Sequence, residues 1–80
     1  MLYNKNKEVI HVISFKPLFD FMFEEKIAMQ DLQKKTGLSS KTTAKFRKGE
    51  SVSLNTVEKI CNAYRIPVEQ VVEIIPDEKD

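Results

Sequence analysis

Apolar residues gather in two β-branched runs, one near each end of the chain, with helically spaced positions between them. Residues 8–15 (EVIHVISF) put Val9, Ile13 and Phe15 with His11 on one face of an extended segment, and Ile10 and Val12 on the other. That pattern predicts a strand covered on both sides, with His11 a structural residue. Pro17 suits the first turn of a helix, where its missing N–H costs nothing, and the helix is expected to reach about Lys26. It carries two stripes: Leu18, Phe21 and Met22 with Glu25, and Phe19, Phe23 and Ile27. One stripe is enough to dock a helix in a small domain. The second predicts a cover from the N-terminal strand, the C-terminus or another subunit.

Two further helices are expected at Met29–Thr36 and Ser40–Lys48, and a fourth that starts from a Ser53 or Asn55 cap. In the fourth, Leu54, Val57, Ile60, Cys61 and Tyr64 repeat at helical spacing. Pro67 opens a short fifth helical element. Val71, Val72, Ile74 and Ile75 make the second β-branched run, closed by Pro76, and neighbouring Ile74 and Ile75 suit a strand better than a helix. The two runs are expected to pair with each other, residues 9–15 antiparallel to roughly residues 72–75. The chain thus reads as one mainly α domain over residues 1–80, with frayed residues at 1–7 and 77–80.

Residues 32–49 (LQKKTGLSSKTTAKFRKG) are the most informative stretch. Thr36 and Gly37 end one helix, Gly37 being free to take the left-handed conformation that other residues resist. Ser39 or Ser40 can cap the next by accepting from a free N–H. Leu32, Leu38 and Phe46 are placed to close the two helices over a shared apolar contact. A tight helix–Gly corner–helix of this kind is a helix-turn-helix, whose second helix enters the DNA major groove.

Charge sharpens that reading. The whole chain carries +1, but residues 29–49 hold Lys34, Lys35, Lys41, Lys45, Arg47 and Lys48 against Asp31 alone. Residues 1–28 balance, and residues 50–80 are net acidic. The excess cation therefore coincides with the helix-turn-helix, which points to double-stranded DNA as partner. Cys61, the single cysteine, rules out an internal disulfide and any multi-cysteine zinc site, and falls on an apolar helical face as a small core residue. No segment approaches the roughly 20 apolar residues that span a membrane, and no signal-peptide pattern opens the chain, so a cytoplasmic location is expected. Neither a Gly-rich phosphate loop nor a Cys/His cluster is present, and 80 residues enclose little substrate, so no enzyme, cofactor, metal or small-molecule substrate is expected.

Residues 29–72 resemble the lambda-repressor-like, Cro-type helix-turn-helix family. The resemblance is carried by Leu32, Thr36, Gly37, Leu38, Ser39, Phe46 and Gly49, and by residues 53–72 (SLNTVEKICNAYRIPVEQVV). It implies a five-helix bundle, and the β-rich ends resemble a small phage-regulator-like branch with flanking terminal strands. Carried over by position, the base-reading residues are Ser40, Lys41, Ala44 and Lys45. The backbone-contacting residues are Met29, Ser39, Thr42 and Lys48, with Lys34, Lys35 and Arg47 adding sequence-independent attraction. The chain departs from the family at three positions. Met29 stands where many relatives have Gln. Gln33 replaces a usually small residue, implying looser packing between the two helices or an outward-bent side chain. Thr43 replaces Ile or Val, implying a weaker core behind the second helix. The function implied is a sequence-specific, repressor-like transcriptional regulator, acting as a homodimer with Phe19 and Phe23 as one candidate contact and an edge of the terminal sheet as another. The alternative is a protein-interaction module, such as the antitoxin part of a toxin–antitoxin pair.

Overall fold

A computed structural model describes residues 13–75. Their order is β1 (Ile13–Ser14), α1 (Lys16–Glu25), α2 (Met29–Thr36), α3 (Ser40–Lys48), α4 (Leu54–Tyr64), a single 3-10 turn (Val68–Gln70) and β2 (Glu73–Ile74). The two strands pair antiparallel, Ile13 opposite Ile74 and Ser14 opposite Glu73, so the segments flanking the helices meet as expected. Residues 9–12 of the expected strand, His11, and the frayed ends at 1–7 and 77–80 lie outside the described residues.

The expected fifth helix is a single 3-10 turn, so the described residues hold four α-helices. Pro67 sits in extended conformation before the turn, and Val71 and Val72 already donate back to the Val68 carbonyl. Only three residues separate that Pro from a β-branched run heading into β2, too few for an α-helical turn to propagate.

Local chemistry sets the helix ends. Ser39 caps α3 and Ser53 caps α4, each hydroxyl accepting from the backbone N–H three residues on. Asp31 accepts from the Ala28 N–H at 3.0 Å, holding the start of α2. Gly37 closes α2 with one bond to the Gln33 carbonyl at 2.7 Å. Lys26 and Gly49 close α1 and α3 with the paired bonds of a Schellman ending, the outer bonds running from the Ile27 N–H to the Met22 carbonyl and from the Glu50 N–H to the Lys45 carbonyl. Lys26 and Arg65 hold the left-handed conformation without being glycine.

One core joins the four helices and the connections between them. Leu18 and Met22 from α1, Leu32 from α2, Phe46 from α3, Val57 and Ile60 from α4, and Phe15, Leu38 and Val71 from the connections are all buried. Phe15 lies just beyond β1 and stacks on Phe46 at 4.8 Å between ring centroids. Phe21 meets Tyr64 edge-on at 5.7 Å, fixing α1 against α4. The second stripe of α1 divides: Phe19 and Ile27 pack on the core's rim, while Phe23 is 86% exposed.

The two glycines differ in a way that mutation can read. Both have positive φ, but a Cβ on Gly37 would meet nothing within 4 Å, whereas one on Gly49 would lie 3.1 Å from the Ile13 carbonyl oxygen. Gly37→Ala should cost about 1–2 kcal/mol, the ordinary left-handed penalty. Gly49→Ala should cost more, because β1 must also shift. Urea unfolding of the two variants checks the order; equal midpoints would mean that the β1 approach is unimportant.

Candidate nucleic-acid interface

The corner between α2 and α3 is stitched by hydroxyls. Thr36 Oγ1 donates to the Leu32 carbonyl at 2.6 Å and accepts from the Leu38 N–H at 3.2 Å, so it bonds both sides of Gly37. Leu38 is buried directly after the corner and anchors it. Leu32 and Phe46 are buried too, closing the apolar contact expected between the helices.

With Thr43 and Phe46 turned inward, α3 presents the opposite side to solvent. Ser40, Lys41 and Ala44 are exposed there and Lys45 is half-buried. Their spacing, i, i+1, i+4 and i+5, puts all four on one face. Arg47 and Lys48 are exposed in the last turn, where cations also suit the helix dipole. No cation of α2 or α3 is ion-paired among the described residues, where Lys16 and Asp20 form the pair within 4.0 Å.

Several expected site residues carry structural duties. Met29 is half-buried and packs against the core's rim, as an apolar side chain there should. Lys34 is exposed, whereas the Lys35 ammonium lies over the Tyr64 ring, 5.3 Å from its centroid, which turns it toward α4. Ser39 Oγ accepts from the Thr42 N–H and donates to Thr42 Oγ1, both at 3.2 Å. Its one proton is thus committed, while the Thr42 hydroxyl donates to no acceptor among the described residues. Of the two, Thr42 is the better placed donor to a phosphate oxygen.

Gln33 and Thr43 correct the expectations attached to them. Gln33 does not bend outward: it is half-buried, and its Nε2 donates to Thr43 Oγ1 at 2.9 Å. Thr43, 3% exposed, passes its own proton to the Ser40 carbonyl at 3.2 Å. Two residues that each look unsuited to an apolar contact satisfy each other there. Reading each position against an apolar norm hides this; a joint reading of residues ten apart would have been the signal.

Nothing else among the described residues suggests chemistry. Cys61 is half-buried on α4, and burial, followed by the negative charge of Glu69, pushes its thiol above the ordinary range, which suppresses thiolate. Burial, then Asp31, likewise raises the Tyr64 phenol. Among the described residues no group of three or more His, Cys, Asp or Glu could hold a metal, and no helix is long and apolar enough to cross a membrane.

A Gly-turned helix pair with a cationic outer face on its second helix defines a DNA-binding helix-turn-helix domain. Residues 18–77 match the family model of the Cro/C1-type helix-turn-helix DNA-binding domain, and the chain belongs to that family. Its fold is similar to that in a crystal structure of the transcriptional regulator VanUg (Form II). The TM-score is 0.77 at 24% identity, over 92% of this chain and 100% of the other. No protein of curated function matches in sequence.

Proposed function

We propose that the protein is a sequence-specific transcriptional regulator of the repressor type that inserts α3 into the major groove of double-stranded DNA. The observation that carries this reading is the cationic face of α3, without ion pairs among the described residues, set beside the Gly37 corner in a family of DNA-binding domains. Ser40, Lys41, Ala44 and Lys45 meet base edges, the Lys ammonium groups donating to guanine O6 and N7 and Ala44 offering apolar contact to a thymine methyl. Thr42, Lys34, Arg47 and Lys48 hold phosphates, and Met29, Ser39 and Lys35 support them through packing and capping. The working form is a homodimer in the cytoplasm, because two α3 helices about 34 Å apart read one face of a two-fold operator, whereas one domain of this size buries little DNA surface.

A protein-interaction role has one observation in its favour: Phe23 and Leu54 are 86% and 82% exposed, side chains a partner could cover. A mobility-shift series in rising salt separates the two readings. DNA binding should weaken steeply, log K falling by about 0.9 per phosphate contact for each tenfold rise in salt. Binding to no DNA at low salt would remove the first reading.

A further inference from the structure

Between α2 and α3 a polar relay runs through an otherwise apolar contact. The Gln33 amide donates to Thr43 Oγ1, and the Thr43 hydroxyl donates to the carbonyl of Ser40, the first residue of α3. A hydroxyl has one proton, so the relay has a direction: the amide gives, the hydroxyl accepts and passes on. Thr43 is buried, so water cannot take the place of either bond without opening the helix pair. Apolar packing already restricts how the two helices cross, but its individual contacts carry no preferred direction. A hydrogen bond fixes both distance and angle. A roll of about 10° is enough to spoil base contacts made by long side chains, since productive geometry holds within about 0.5 Å.

We infer that Gln33 and Thr43 are positioning residues that fix the roll of α3 and thereby decide which bases Ser40, Lys41 and Lys45 can read. This rests on the proposed role of α3 as the reading helix. Neither residue touches DNA; both act through the Gln33–Thr43 bond, which crosses from α2 to α3 and so bears on the orientation of α3. Sequence choice is therefore set partly from α2, at a position separated from the reading face by the whole corner.

The test uses the full chain and two duplexes: one selected by the wild-type protein from a random library, the other a scramble of equal composition. The readout is the ratio of the two affinities, beside the melting temperature. Gln33→Ala and Thr43→Val should each lower the ratio about tenfold, the equivalent of one lost buried hydrogen bond, while Thr43→Ser, which keeps the hydroxyl, should preserve it. The double variant Gln33→Ala/Thr43→Val removes both polar partners, so its melting temperature should return toward wild type while its ratio stays low. A double variant that regains both would show that the pair only stabilises, and overturn the inference. Lys41→Ala separates the inference from the reading beneath it. If Lys41→Ala loses the ratio and the Gln33 and Thr43 variants keep it, positioning alone is wrong. If all three keep it, α3 does not read DNA and both fall. Should a single variant fail to fold, Thr43→Ser and the double variant carry the same comparison.

Discussion

Phe46→Ala is expected to remove about half of the domain's stability, the largest loss of any single truncation in α3. The ring is 2% exposed, stacks on Phe15 and is the main side chain that α3 contributes to the core. Truncating a buried Phe costs about 3–5 kcal/mol, from the lost transfer of the ring and the cavity left behind. A domain of this length holds only about 5–10 kcal/mol in total. The same substitution frees Phe15, which follows β1, so the strand pair and α3 should loosen together. Phe46→Leu keeps most of the apolar volume and should cost about half as much or less. Urea unfolding followed by circular dichroism measures both. A Phe46→Ala variant within about 1 kcal/mol of wild type would mean that α3 is not held by this ring, and that its pose on the bundle has another cause.

The second large effect falls on DNA rather than stability. Lys41→Ala should cost about 1–3 kcal/mol at the preferred site, the worth of a good base contact, and little on unrelated DNA. Lys41 is exposed and not ion-paired among the described residues, so its removal should change the stability by no more than about 0.5 kcal/mol. Lys45 is half-buried, so its stem is already partly fixed beside the helix and less freedom is lost on binding. Lys45→Ala should therefore show the same selective loss with a small stability cost. Equal loss on specific and unrelated DNA would reduce either residue to a phosphate contact. Anisotropy titrations on the two duplexes distinguish these results.

Much of the fold is legible in the sequence where short-range chemistry decides it. The bounds of α2 and α3 follow from Gly37, Ser39 and Gly49, residues whose backbone or hydroxyl preferences stop and start helices within one turn. The strand pairing follows from two β-branched runs with no other partner in a helical chain, and the described part of it, Ile13 with Ile74, obeys that logic. The fifth helix fails because Pro67 marks a helix start without guaranteeing length, and the β-branched run after it competes within three residues. Lys26 shows the same limit at the end of α1: nothing in a lysine announces a left-handed conformation, yet the chain takes it there to reach Ile27.

For the interface, the cationic face of α3 follows from spacing alone, since residues 40, 41, 44 and 45 share a side of any helix that buries Thr43 and Phe46. The internal bonds do not. Lys35 over Tyr64, the Ser39–Thr42 hydroxyl pair and the Gln33–Thr43 bond depend on how helices cross and how rotamers fall. Those are tertiary facts that single-position reasoning misses. They also redistribute roles, favouring Thr42 over Ser39 as the outward hydroxyl donor.

Major-groove protection tests the central claim most directly. Dimethyl sulfate methylates guanine N7, an atom that faces the major groove and that a bound Lys covers. With wild-type protein on its selected duplex, guanine N7 should be protected in two patches about one helical turn apart on one face of the DNA, as two copies of α3 require. Lys41→Ala should uncover specific guanines while leaving the protein bound at low salt. Binding with every guanine N7 still reactive, or protection unchanged in Lys41→Ala and Lys45→Ala alike, would contradict the placement of α3 in the major groove.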